Sequence, residues 1–168
     1  MLPPGLAFVA LSDRARKAMA ESDLPRFYFD LARAAKEAAQ GSTPFTPAIT
    51  LVAGLEESLR MLEEEGLDNV YARHARLAAA CREGLVALGL PLFAKTPSNG
   101  VTAVGEMEPP MPEQIVRGVR EQHGLRMTGG QGSMKGRIFR VGHMGAYSDD
   151  DIADVVAAVK DVMAGLSR

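Results

Sequence analysis

The chain has 168 residues, 46% of them hydrophobic, which is enough for a real core in one compact domain or two small lobes. Its 19 basic and 21 acidic side chains leave a formal charge of -2, and no like-charge run exceeds Glu63-Glu64-Glu65 or Asp149-Asp150-Asp151, which excludes the basic patch of a nucleic-acid surface. The single Cys81 excludes an intrachain disulfide and fits a reducing, cytoplasmic compartment, while Leu6–Leu11 is too short to span a membrane and has no basic segment before it.

In chain order, Met1-Leu2-Pro3-Pro4-Gly5 reads as a stiff turn feeding Leu6–Leu11, a run apolar on both faces as a strand inside a covered sheet would be. Ser12-Asp13 is placed to cap a short helix to Glu21. After Pro25 the Ala-rich stretch Tyr28–Gln40 predicts a second helix, ended by Gly41. In Gly41-Ser42-Thr43-Pro44-Phe45-Thr46-Pro47, Thr46 suits an N-cap and Pro47 the first helical position. The helix that follows carries Val52, Leu55, Leu59 and Leu62 on one face and stops at Gly66. Hydroxyls beside a helix N-terminus attract phosphate; the same residue types are equally at home as turn and cap residues.

Leu67–Leu88 predicts a long helix with Val70, His74, Leu77, Cys81, Leu85 and Leu88 on one stripe, ended by Gly89. His74 and Cys81 share that face, but two ligands do not make a structural zinc site; they read as a half-buried, hydrogen-bonded histidine and a core cysteine. From Leu90 the texture changes. Leu90–Ala94 and Val101–Met107 read as strands, Met111 opens a helix to His123 after a Pro-rich turn at Pro109-Pro110-Met111-Pro112, and Leu125–Thr128 and Ile138–Val141 are further strands. Ser148 with Asp151 resembles a capping box for a last helix bearing Ile152, Val155, Val156, Val159 and Val162 on one face. The order β-β-α-β-β-α is that of an α+β lobe.

Within that lobe, Gly129–Gly145 reads GGQGSMKGRIFRVGHMG. The glycines suit a tight loop or a close approach of ligand to backbone. Arg140 follows on a strand, where its planar fork could grip both oxygens of a carboxylate. Residue chemistry alone favours a solvated surface arginine over that receptor.

Taken in register, LPPG near the start, GSTPFTP, EEGLDNVYARHARLAAACREGLVALGL and RVGHMG resemble the C-terminal half of a class V aminotransferase, in the alanine–glyoxylate and serine–pyruvate group. The resemblance implies a fold-type-I pyridoxal-phosphate enzyme, α/β in its large domain and α+β in its C-terminal small domain. It divides the chain into a remnant of the large domain (1–46), long bridging helices (47–88) and the small domain (89–168). It makes Arg140 the receptor of the substrate α-carboxylate and Gly129 and Gly130 the loop that closes over it. Thr46 and Thr43 become ligands of the cofactor phosphate in the partner subunit of a homodimer. His143 falls at a structural strand end.

The same resemblance places the Schiff-base lysine, the aspartate facing the ring nitrogen and the stacking aromatic upstream of Met1. Lys17, Lys36, Lys95, Lys135 and Lys160 stand outside the family's lysine context. The expectation is therefore the C-terminal part of an enzyme moving an amino group from alanine or serine to glyoxylate or pyruvate, inactive as this chain alone. Two other readings are a half-protein that pairs with a separate N-terminal chain, and a binding or dimerisation module without chemistry.

Overall fold

A computed structural model describes residues 2–107 and 111–166. The chain folds as two units, Met1–Met61 and Leu62–Arg168. The division falls within the first long helix.

The first unit holds α1 (Asp13–Glu21), α2 (Leu31–Ala38) and most of α3 (Ile49–Glu65). Ser12 caps α1 by accepting from the Ala15 amide. Helix α2 starts three residues later than the Ala-rich pattern suggests, for two local reasons. Asp30 takes the Ala32 and Arg33 amides on its carboxylate, and Phe29 sits at φ 56°, a left-handed conformation no helix continues through. Leu6–Leu11 is a correction: it forms no strand, with Phe8 77% and Val9 62% exposed. A strand needs a neighbouring edge for its backbone groups, and none runs beside it among the described residues. The apolar stripe of α3 is partly covered, with Val52 and Leu59 exposed, Leu55 and Leu62 half-buried, and Ser58 the buried residue of that helix.

The second unit follows the predicted elements closely: α4 (Leu67–Ala87), β1 (Val101–Gly105), α5 (Met111–His123), β2 (Thr128–Gly129), β3 (Ile138–Gly142) and α6 (Asp149–Leu166). Gly66 and Gly89, at φ 80° and 79°, bracket α4 as the sequence requires. Ser148 and Asp151 close the expected reciprocal cap: the Ser148 hydroxyl accepts from the Asp151 amide and the Asp151 carboxylate from the Ser148 amide. Three expected strands shrink, Val101–Met107 ending at Gly105. Leu90–Ala94 is reduced to a bridge of Leu92 to Val104, and Leu125–Thr128 to the pair Thr128–Gly129. In the Pro-rich turn, Met111 and Pro112 begin α5, whereas Pro109 and Pro110 lie outside the described residues.

The sheet is antiparallel in the order β1-β3-β2, with Ala103 opposite Arg140 and Thr128 opposite Arg140 on the other side. Paired residues in such a sheet share a face. Thr102, Val104, Phe139 and Val141 therefore point one way, into a core with Leu77, Cys81 and Leu85 of α4, Ile115 and Val119 of α5, and Ile152 and Val159 of α6. Each fully buried apolar side chain of this size contributes about 1.5–3 kcal/mol of transfer free energy. Ala103, Thr128 and Arg140 point the other way, to a face that no helix of this unit covers. Ile138 lies on that same face yet is buried, because the loop at Gly130 folds over it. Adjacent Ile138 and Phe139 are thus both buried, on opposite sides of the sheet.

Candidate substrate-carboxylate site

Arg140 is half-buried on the sheet face opposite the helical core, between β1 and β2. Its Nε and Nη2 donate to the carbonyl oxygen of Gly129 at 3.2 and 2.9 Å. Those two bonds hold the plane of the guanidinium. A guanidinium carries five N–H donors, so both Nη1 hydrogens and one on Nη2 remain, and one from each of these nitrogens lie side by side at the far edge. That edge has the spacing to take a carboxylate on both oxygens. Among the described residues no acid pairs with Arg140.

Gly129 and Gly130 differ in what they require. A side chain at Gly129 would meet nothing within 4 Å, whereas a Cβ at Gly130 would lie 1.9 Å from the Met134 carbonyl oxygen. Gly130 also donates its amide to the Ile138 carbonyl at 3.0 Å. The loop from Gly130 through the 3-10 turn Gly132–Met134 is thus folded tightly onto β3. Gly129 contributes its carbonyl to Arg140, and Gly130 the space that lets the loop close.

His143, just past β3, is fully buried. Its Nδ1 lies 3.0 Å from the Asn99 carbonyl oxygen, which can only accept, so Nδ1 carries the proton. Nε2 is then the acceptor for the Thr102 hydroxyl at 2.9 Å. Burial pushes its pKa below the ordinary value, against the opposing pull of the Asn99 carbonyl. Thr102 also abuts Cys81, whose thiol pKa is raised by burial. With both ring nitrogens engaged inside the core, His143 is a structural pin. His74 is half-buried and accepts the Gly145 amide on Nε2 at 3.0 Å.

In the first unit, Thr43 and Thr46 lie on an exposed segment held to α2 by aromatic contacts. Tyr28 stacks on Phe45 with centroids 4.6 Å apart, and the Arg33 guanidinium lies 4.9 Å over the Phe45 ring and donates to the Pro44 carbonyl. The expected cap is corrected: α3 begins at Ile49, whose amide goes to Pro47, so Thr46 precedes the capping position. The Thr43 hydroxyl donates to Phe45 O at 2.6 Å, while the Thr46 hydroxyl is exposed and makes no hydrogen bond among the described residues. As a phosphate donor set, Thr46 fits and Thr43 is already engaged. All five lysines are exposed.

The sequence reading missed Arg73. It donates to the carbonyls of Gly145 and Tyr147 at 2.7 and 3.3 Å and pairs through Nε and Nη2 with both oxygens of Glu65. Only its position one residue before His74 on a core-facing helix hints at it.

No family profile matches the chain. Among curated proteins it is 41% identical to the small subunit of a soluble hydrogenase from Synechococcus sp., over 99% of this chain and 44% of that one. It is 37% identical to an L-aspartate–glyoxylate aminotransferase from Paracoccus denitrificans, over 99% and 43%. Serine–glyoxylate aminotransferases are further relatives. Among solved structures, pyridoxamine–pyruvate aminotransferase from Mesorhizobium loti superposes with a TM-score of 0.83 at 29% identity, covering 94% of this chain and 42% of that one. The fold is that of the C-terminal part of the fold-type-I aminotransferases. Homologues over the length of the chain are class V aminotransferases of the alanine/serine–glyoxylate group, and the chain spans less than half the length of the curated relatives it matches.

Proposed function

We propose that this chain supplies the substrate-carboxylate half of a pyridoxal-phosphate-dependent transaminase that moves an amino group from alanine or serine to glyoxylate or pyruvate. The observation that carries the reading is Arg140: a guanidinium fixed in plane by the Gly129 carbonyl, on the sheet face opposite the helical core, with one donor edge unused among the described residues. The glyoxylate named for several relatives is a small carboxylate of the size one such edge can hold. Gly129 and Gly130 shape the loop beside it, and Thr46 offers its hydroxyl to the cofactor phosphate of a partner subunit in a homodimer. Thr43 would join it only by releasing Phe45 O.

Bound cofactor would supply the electron sink for proton loss from the amino acid's α-carbon. The residues here bind and orient: Arg140 holds the carboxylate, which fixes where the α-carbon lies. The same reading takes this chain as inactive by itself. The division into 1–46, 47–88 and 89–168 belongs to the same reading, as does a cytoplasmic setting. Among the described residues no helix is long and apolar enough to cross a membrane.

The test is the mass and visible absorption of the protein purified from its native source. A species more than twice this mass, with a visible band that shifts on adding alanine or serine, is the expected result. A colourless, folded, monodisperse protein of this length would overturn it in favour of a binding or dimerisation module.

A further inference from the structure

Two consecutive side chains of α4 hold both backbone groups of one residue. His74 Nε2 accepts the Gly145 amide at 3.0 Å, and Arg73 Nη1 donates to the Gly145 carbonyl at 2.7 Å. Gly145 sits at φ 106°, a conformation that β-carbon-bearing residues rarely adopt, so the loop is bent at the point where it is gripped. Arg73 is itself braced: Glu65 takes its Nε and Nη2 at 2.6 and 2.8 Å, an arrangement that holds the Glu65 carboxyl below its ordinary pKa. Arg73 reaches on to Tyr147 O as well.

The gripped loop is the continuation of β3. Sheet pairing ends at Gly142 opposite Val101, and His143 extends it by one backbone bond to Gly100 O at 3.1 Å. Arg140 is two residues from that end. On its other side the strand is held by Gly105 opposite Ile138 and by the Gly130 amide on Ile138 O. His143 pins that end from the core side and Gly145 is the second anchor, two residues further on; without it the end frays more readily, and fraying would turn the Arg140 side chain away from the Gly129 carbonyl.

We infer that Arg73 and His74 are positioning residues for Arg140: by clamping Gly145 they hold the outgoing end of β3, and so keep the Arg140 guanidinium in the plane that receives a carboxylate. The inference rests on the reading of Arg140 as that receptor. Neither residue touches the ligand; they act through the backbone.

The test uses the 168-residue chain labelled with nitrogen-15, following hydrogen exchange at the Arg140 Nε–H and the Gly145 amide. His74→Leu removes the acceptor and Arg73→Gln the braced cation. Each is expected to speed exchange at both signals about tenfold relative to interior α4 amides such as that of Cys81. His74→Gln retains an acceptor oxygen and should restore the slow exchange lost in His74→Leu, which a merely space-filling role would not. Where His74→Leu fails to fold, Arg73→Lys, which keeps charge but loses the fork, reads the same signals. Unchanged exchange at Arg140, or acceleration matched by Cys81, overturns the clamp. Titration with glyoxylate separates the two ideas. If Arg140→Lys binds it as well as the parent chain does, the receptor reading fails, while the exchange data still decide the clamp.

Discussion

Arg140 gives two of its donors to one acceptor, the carbonyl oxygen of Gly129, at 3.2 and 2.9 Å. The pair spans β3 and β2 and sets the plane of the guanidinium before any ligand arrives. Preorganisation of this kind lowers the ordering cost of binding.

Arg140→Lys should therefore cost more than the loss of one bond. A lysine ammonium is a point donor: it can reach Gly129 O or a carboxylate, and it cannot hold both in one plane. Charge-assisted bonds are each worth about 1.5–3 kcal/mol, so carboxylate affinity should fall about 10- to 100-fold. Isothermal titration with glyoxylate, or KM in the assembled enzyme, measures it; affinity within a factor of about two of the parent would contradict the receptor role.

The two loop glycines should part company on substitution. At Gly130 a Cβ meets the Met134 carbonyl at 1.9 Å, which is backbone and cannot swing aside. Gly130→Ala should destabilise by about 1–3 kcal/mol and loosen the cover over Ile138. Gly129→Ala, with open space around the new methyl, should change stability by less than about 0.5 kcal/mol. Thermal melts of the two variants side by side check the contrast, and equal melts would refute it.

Acid should weaken the fold through His143. Its folded pKa is depressed by burial, so below the ordinary histidine value near 6.5 the unfolded chain binds a proton that the folded chain refuses. The stabilisation from a neutral His143 is thus complete above that value and is lost progressively as pH falls from it toward the lower folded pKa. Melting temperature between pH 7.5 and 5.5 should decline, and His143→Gln should flatten the decline while lowering the whole curve. A His143→Gln slope as steep as the parent's would assign the effect to other groups.

Helix propensity and packing oppose each other at Gly118 of α5. Replacing a mid-helix glycine by alanine ordinarily gains about 0.5–1 kcal/mol. Here the new methyl would lie 2.7 Å from Cγ1 of Val162 on α6, a branched side chain already buried at 3% exposure. Overpacking of that kind costs about 1–3 kcal/mol, so Gly118→Ala should lower stability overall. A denaturant midpoint above the parent's would show that α5 and α6 can shift apart.

What could be read before folding differs between the two units. Helices α4, α5 and α6 run where periodicity and caps put them, because those signals are local: a stripe every three or four residues, Gly66 and Gly89 at the ends, Ser148 and Asp151 at a start. The strands were less legible, since their extent depends on pairing with residues far along the chain. Leu6–Leu11 has the composition of a buried strand and no partner; Leu90–Ala94 keeps a bridge. Thr46 looked like a cap because Thr-Pro suits one, yet α3 starts at Ile49.

By itself, then, the sequence determined the helices of the second unit, the glycine turns around them, and the presence of an arginine on a strand beside a glycine loop. Those are properties of short segments, written in spacing and side-chain type. Only the tertiary structure decided which face of β3 is covered. A strand has two equivalent sides until neighbours pair with it and helices pack against one of them. The helices took the face of Phe139 and Val141, which left Arg140 on the other. The same long-range contacts brought Gly129 O to its guanidinium and Arg73 and His74 to Gly145, pairings that no local pattern encodes.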